Sequence, residues 1–211
     1  MARTKHQRSL FITFEGIDGC GKSTQVEKAF RYLKSQGYDV VKLREPGSTP
    51  VAERIRKILL DRRLEMADVT ELLLYEAARS DLVAAKIEPL LLAGKVVVCD
   101  RFYDSTTAYQ GYGRGLDIAA VKRLHKTAVG KCKPDLTLVF DVDLKTSYSR
   151  RGKQADRLEA QSKTFFQRVR KGFLEIARTE SRRVKVIDGT RPVDEVFIDV
   201  QRWLDRKLRR L

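Results

Sequence analysis

The sequence predicts an α/β protein with a five-stranded parallel sheet and helices on both faces. Three observations lead there. Five short apolar runs alternate with helical patterns along the 211 residues, the order expected of a parallel sheet wrapped by its crossover helices. The run "KVVVCD" (residues 95–100) has no polar alternation, as a strand buried on both faces requires. The first run ends in a glycine-rich turn that opens into an amphipathic helix.

Each element follows in order. "SLFITFE" (9–15) is a β-rich apolar run. Beyond the glycine turn, Val26, Ala29, Phe30 and Leu33 recur at i, i+3, i+4 and i+7, one face of a helix that stops at Gly37. "YDVVKL" (38–43) reads as the second strand, and "REPGSTP" (44–50) as a turn-rich loop into a helix over 51–60. Asp68 is placed as the N-cap of a long helical pattern that ends near Gly94, with a bend expected at Pro89. Strand 95–100, helix 118–129 and strand 135–141 come next, then helices over 144–151 and 162–179. Strand 184–188 and helix 193–208 close the chain. No internal repeat, low-complexity segment or linker appears, so residues 1–211 read as one domain with a basic N-terminal tail over 1–8.

With 42% apolar and 34% charged residues, the composition is that of a globular protein rather than a disordered one. No apolar run approaches the ~20 residues of a membrane span, and the first ten residues lack the apolar stretch of a secretory signal. A cytoplasmic location is expected. Cys20, Cys99 and Cys132 are an odd number without a C-x-x-C pair, which argues against a disulfide framework or a zinc site; Cys20 reads as a small spacer. The formal charge of +15 suits either phosphate neutralisation on nucleic acid or a field that draws in nucleotides. Basic residues cluster at the termini ("RTKHQR", "DRKLRR") and over 150–153, but no basic segment is interleaved with aromatics. Charge alone decides nothing.

The stretch "FEGIDGCGKSTQ" (14–25) holds Gly16-x-x-x-x-Gly21-Lys22-Ser23, the spacing of a phosphate-gripping loop. Such a loop aims successive backbone N–H groups at a polyphosphate, helped by the positive end of the helix that follows. The expected phosphate-binding set is Gly16, Ile17, Asp18, Gly19, Cys20, Gly21, Lys22, Ser23 and Thr24. Lys22 would reach the β- and γ-phosphates, and the Ser23 hydroxyl would ligate Mg²⁺. Asp100 closes a buried strand beside the loop and is the candidate second acid for Mg²⁺, directly or through water; a strand-end cap or an ion pair with Arg101 is the plainer alternative. No N-K-x-D stretch follows, which weakens a GTPase reading. A small kinase remains, and its acceptor site should then be legible.

Four segments, "FEGIDGCGKSTQ", "REPGST", "DRFYDSTTAYQGYGRG" and "DRLE", stand in an order that resembles the thymidylate kinases, and "PDLTLVFDV" (134–142) matches a further strand. The resemblance spans about residues 10–200. It implies the P-loop nucleoside monophosphate kinase fold with a mobile lid, and transfer of the ATP γ-phosphate to dTMP, giving dTDP for dTTP synthesis. In that light Asp18 would contact the acceptor sugar 3′-hydroxyl. Arg44 and Arg101 would hold the acceptor phosphate, a tetrahedral anion that suits a planar fork. Tyr75 would stack on thymine, with Arg79 on the same helix face at i+4. Ser105 and Thr106 would approach the base, Tyr109 would lie against the deoxyribose, and Gln110 would add a polar contact. Gly111, Gly113 and Gly115 would make the loop bendable. Two departures stand out: Ser80-Asp81-Leu82 replaces the usual A-Q-H, and Tyr75 replaces the commoner phenylalanine.

Some members of the family carry an arginine in the phosphate loop; here Gly19 follows Asp18 and that arginine is absent. A lid over about 149–160, "SRRGKQADRLE", offers Arg150, Arg151, Lys153 and Arg157 instead, and Arg151 and Arg157 are the candidates for the transition-state charge. The expected catalytic set is therefore Lys22, Arg101, Arg151, Arg157 and Asp18, with Arg191 near the adenine. Neither His6 nor His125 looks catalytic. The resemblance also implies a homodimer, with no membrane and no nucleic-acid partner despite the charge. Competing readings are a broader nucleotide kinase, an NTP-dependent nucleic-acid binder and a non-catalytic nucleotide sensor. The set Arg44, Arg79, Arg101 and Tyr109 argues against the second, and intact Lys22, Ser23 and Asp100 against the third.

Overall fold

Five parallel strands form one sheet in the order β2-β3-β1-β4-β5, in a computed structural model that describes residues 9–151 and 157–209. They are β1 (Leu10–Glu15), β2 (Val40–Arg44), β3 (Val96–Asp100), β4 (Leu136–Asp141) and β5 (Val184–Asp188). The register pairs Ile12 with Val98 on one side and Leu136 on the other. All six residues of central β1 are buried, whereas outer β2 and β5 expose alternate positions. This is why the inner strands read as unbroken apolar runs.

The helices are α1 (Lys22–Ser35), α2 (Pro50–Leu60), α3 (Asp68–Leu82), α4 (Glu88–Leu92), α5 (Tyr103–Thr106), α6 (Ile118–Val129), α7 (Leu144–Arg150), α8 (Lys163–Thr179) and α9 (Val193–Leu208). Leu10, Ile12 and Phe14 share a core cluster with Val26, Ala29 and Leu33 of α1 and Val200 and Leu204 of α9. Phe11, Val97 and Cys99 join a second cluster with Leu82, Ile87 and Val129. Fully burying one such side chain stabilises by about 1.5–3 kcal/mol.

Three expectations are corrected. Asp68 is the first residue of α3, not its cap; Ala67 occupies the cap position without a side-chain bond, and Asp68 Oδ1 lies 3.3 Å from Arg114 Nε. The long helix does not simply bend at Pro89: residues Val83–Ile87 form a π-helical turn before it. Proline lacks the N–H for the i−4 bond and crowds that carbonyl, and a wide turn relieves both. The segment with three glycines is mostly not a bendable loop but α5 continued by a π-helical stretch, Thr107–Gly113. A Cβ on Gly113 would lie 2.7 Å from the Phe165 ring, and one on Gly111 2.5 Å from Ile118 Cδ1, so both serve close packing. The second strand also starts later than expected, at Val40. The N-terminal tail and His6, and residues 152–156 of the expected lid with Lys153, lie outside the described residues.

Candidate active site

Because the strands are parallel, the turns after their C-terminal ends share one crest of the sheet, where such folds bind ligands. The phosphate loop leaves β1 there, and Asp100 and Arg101 leave β3 beside it. Two glycines show why the loop has this composition. A Cβ on Gly16, at φ +142°, would lie 2.7 Å from Phe140 O, and one on Gly19, at φ +77°, 2.3 Å from Ser147 O. Only hydrogen fits at either place. Ile17 is buried in the core and Cys20 beside it, so these two support the loop from below.

Lys22 and Ser23 meet Asp100 as the spacing implied. Ser23 Oγ donates to Asp100 Oδ2 at 2.6 Å, and Lys22 Nζ stands 3.4 Å from Oδ1, which is buried and accepts no hydrogen bond. Hydroxyl plus carboxylate oxygen, with open coordination for phosphate and water, is the donor set that Mg²⁺ favours, so these residues fit that ion.

Arg101 anchors the wall beside the phosphate loop. It holds φ at +72°, an uncommon conformation for a residue with a side chain, and a dense network offsets that cost. Its Nη1 donates to Gly16 O at 2.9 Å and to Ser105 Oγ at 3.0 Å; its Nη2 donates to Asp18 Oδ1 at 2.5 Å. The Tyr109 hydroxyl donates to Asp18 Oδ2 at 3.1 Å. Burial opposes the Asp18 charge, but Arg101, Lys22 and the tyrosine prevail and hold its carboxyl at about 2. Beneath them Glu15 Oε1 accepts from Phe102 N at 2.7 Å and Oε2 from Ser105 Oγ at 2.5 Å. Burial, reinforced by nearby Asp104, pushes the Glu15 carboxyl up to about 8.

Arg79 is entirely buried and donates to Glu45 at 2.9 Å, Glu76 at 2.7 Å and Thr106 at 2.8 Å. Glu76 Oε1 also lies 2.7 Å from His125 Nδ1, and His125 Nε2 lies 2.8 Å from Thr107 Oγ1. His125, on the protein side of this chain of contacts, has its imidazole pKa lowered chiefly by burial.

One cavity gathers Asp18, Tyr75, Arg79, Arg101, Ser105, Thr106, Tyr109 and Gln110, every member of the expected acceptor set except Arg44. Arg44 is not on that wall; its Nη2 pairs with Glu53 at 2.9 and 3.0 Å. Arg56, Glu45, Phe102 and Leu158 line the cavity instead, and sequence reasoning missed them. Arg56 lies on an amphipathic helix where nothing local separates a ligand-facing arginine from a solvated one. The atypical Ser80-Asp81-Leu82 does not reach the cavity: Asp81 accepts from Thr49 Oγ1, the cap of α2, and Leu82 is core.

The two lid arginines differ. Arg151 Nε donates to Asp18 O at 3.3 Å and Nη2 to Ser147 Oγ at 2.9 Å, while the guanidinium lies 4.1 Å from the Phe166 ring centroid. Its Nη1 is buried with no hydrogen-bond partner among the described residues. Arg157 turns the other way: Nε donates to Leu59 O at 2.8 Å and Nη2 to Glu71 Oε2 at 2.5 Å. Glu71 also accepts from Gln110 and Arg114, so Arg157 braces the cavity wall around Gln110 and is not beside the phosphate loop. On the other side of the phosphate loop a broad trough is lined by Gly19, Gly21, Thr24, Arg150 and Arg191. Arg150 donates to Gly189 O at 2.7 Å and Thr190 O at 3.1 Å, and Arg191 pairs with Asp199.

Comparison with known proteins decides what this arrangement is. The thymidylate kinase family model matches residues 14–200. The chain belongs to the thymidylate kinase family. A thymidylate kinase of Symbiobacterium thermophilum is 46% identical over 204 residues, covering 96% of this chain and 95% of the relative. One from Geobacter sulfurreducens is 47% identical over 193 residues, 87% of this chain and 91% of the relative. The crystal structure of the thymidylate kinase from Ehrlichia chaffeensis superposes with a TM-score of 0.76 at 37% identity, covering 93% of this chain and 98% of that one. The kinase is thus an enzyme of the nucleoside monophosphate kinase type, which phosphorylates dTMP to dTDP with ATP.

Proposed function

We propose that the cavity beside Arg101 holds dTMP and that the trough beside Arg150 holds ATP, with phosphoryl transfer over the phosphate loop between them. The observation that carries this reading is the gathering of Asp18, Tyr75, Arg101, Tyr109 and Gln110 in one cavity whose wall continues into that loop. The bond from the γ-phosphorus to the β,γ-bridging oxygen breaks. A bond to a dTMP phosphate oxygen forms, and ADP leaves. The nucleophile is already anionic, so alignment and charge neutralisation suffice.

Arg101, with Arg56 across the cavity, holds the acceptor phosphate. Tyr75 stacks on thymine, Gln110 takes its polar edge, and Tyr109 with Asp18 crowds the sugar where a 2′-hydroxyl would stand. Lys22 and Arg151 neutralise the transferring group, and the unpartnered Arg151 Nη1 supports that assignment. Ser23 and Asp100 would hold Mg²⁺, which when bound would supply charge stabilisation to the polyphosphate. Arg157 and Glu71 brace the wall. A cytoplasmic homodimer is part of the reading: Val51, Ile58, Val69 and Leu73 expose apolar surface on α2 and α3, which supports pairing through those helices, and no helix among the described residues is long and apolar enough to cross a membrane.

The test is ADP release with ATP and Mg²⁺, offering dTMP, dUMP, ribosyl TMP, dCMP, dGMP and thymidine separately. Turnover of dTMP with weaker dUMP is expected. Comparable turnover of purine monophosphates overturns the thymine pocket, and acceptor-independent ADP release that rises with DNA overturns the transfer reading.

A further inference from the structure

The crest absorbs only part of the positive charge. At the opposite end of the sheet, where β4 and β5 begin, Arg182, Lys185, Arg206 and Lys207 line a trench of about 450 Å³ beside Trp203. The indole carries Lys185 Nζ at 4.8 Å and Arg206 Cζ at 5.4 Å from its centroid and packs against the core. The carboxylate in the lining, Asp135, is turned to the backbone, accepting from Phe11 N at 2.9 Å.

Six arginines elsewhere, Arg79, Arg101, Arg114, Arg157, Arg170 and Arg183, each have a carboxylate within 3.0 Å. Here Arg182, Arg206 and Lys207 have none among the described residues within ion-pair distance. Like charges brought together without counter-charge cost free energy unless an anion joins them. Exposed Arg209, which follows the end of α9, adds to this pole.

We propose that this trench binds single-stranded nucleic acid, phosphates on Arg182, Arg206 and Lys207 and a base against Trp203. A cationic groove with an aromatic at its floor is how proteins hold single strands without reading sequence. The concave shape fits a strand better than a flat lipid surface, and the aromatic element gives bases an advantage over a bare polyanion. Sequence reading set nucleic acid aside on the set Arg44, Arg79, Arg101 and Tyr109, and found no basic segment interleaved with aromatics. The trench supplies that combination from three separate segments, around residues 135, 182 and 206. It lies at the end of the sheet away from the crest, so occupancy leaves phosphoryl transfer intact.

Trp203 is the chain's single tryptophan, so its fluorescence reports the trench directly. A mixed-sequence 12-nucleotide single strand is titrated into the full-length protein at 50 mM salt, with quenching as the readout. Saturable quenching is expected, weakening roughly 20-fold between 50 and 200 mM salt for about three phosphates neutralised on a single strand. The triple variant Arg182→Glu, Arg206→Glu, Lys207→Glu should lose binding at least tenfold while its dTMP kinase rate stays within twofold of the parent, which also certifies its fold. Absence of saturable quenching, or equal binding by the variant, overturns the proposal. So does equal affinity for inorganic polyphosphate of matched charge, or tighter binding to phosphatidylserine vesicles.

Discussion

The two halves of the crest position their cations by different means. On the acceptor side the arginines are locked to carboxylates: Arg79 by Glu45 and Glu76, Arg101 by Asp18, Arg157 by Glu71. On the donor side the work falls to backbone: glycines that admit no Cβ in the phosphate loop, and Arg150 held by the carbonyls of Gly189 and Thr190. Charge pairs inside a protein make geometry rigid but leave a buried charge exposed to loss of its partner. Backbone placement leaves side chains replaceable without unfolding. Replacing a carboxylate-paired arginine on the first side should therefore register in stability as well as rate, and replacing an arginine on the second in rate alone.

The sharpest test of this contrast is Arg151→Ala. It is expected to lower kcat by about 10³ or more, as for an arginine that stabilises transition-state charge, while the thermal midpoint moves little. Stopped turnover assays and calorimetry on one preparation check both. A large loss of midpoint with kcat retained would erase the distinction.

Arg79→Ala should do the reverse first. Two buried carboxylates, Glu45 and Glu76, lose their counter-charge, and breaking such a pair costs about 3–5 kcal/mol. For a chain of this size that is a fall of roughly 10 °C in midpoint. Arg79→Lys should recover little of it, since one ammonium cannot span the three partners Glu45, Glu76 and Thr106.

A third prediction concerns pH. Burial holds Glu15 at about 8 and Glu45 at about 7, both above the ordinary 4.5. Between those limits the folded protein keeps protons on these two groups that the unfolded chain has released, so their contribution to stability is fully present below pH 4.5 and is lost as pH rises toward 8. Glu15→Gln, which keeps an acceptor for Phe102 N without the charge, should flatten the decline in denaturant midpoints between pH 5 and 8. Asp18 acts in the opposite sense: its depressed carboxyl stabilises above pH 3.8, and that contribution disappears as pH falls toward about 2.

The smallest effect is expected at Tyr75, a ring poised for stacking on the cavity wall. Tyr75→Ala should raise KM for dTMP about tenfold, within the 1–3 kcal/mol that base stacking supplies. Tyr75→Phe should change it less than threefold, with the midpoint unmoved in both.

Local signals in the sequence are strong where one short segment makes the whole feature. The loop from Gly16 to Ser23 and the buried strand ending in Asp100 were legible because their spacing and apolar runs are set by backbone needs alone. Arg44 and Arg157 mark the limit of that reading. Each is an arginine in a suggestive segment, yet Arg44 is captured by Glu53 nine residues on and Arg157 by Glu71 from a distant helix. Gly111 and Gly113 show the same limit: glycine looks like flexibility until Ile118 and Phe165 arrive to fill the space.

The sequence by itself determined the sheet and the phosphate loop, because period and glycine placement act within a few positions of each other. Only the tertiary structure decided which cation faces a ligand and which faces a carboxylate. Arg56 on the acceptor wall, the unpartnered Arg151 Nη1, and the cations grouped around Trp203 all depend on partners brought from far along the chain. Long-range packing chooses those partners, and no local pattern encodes it.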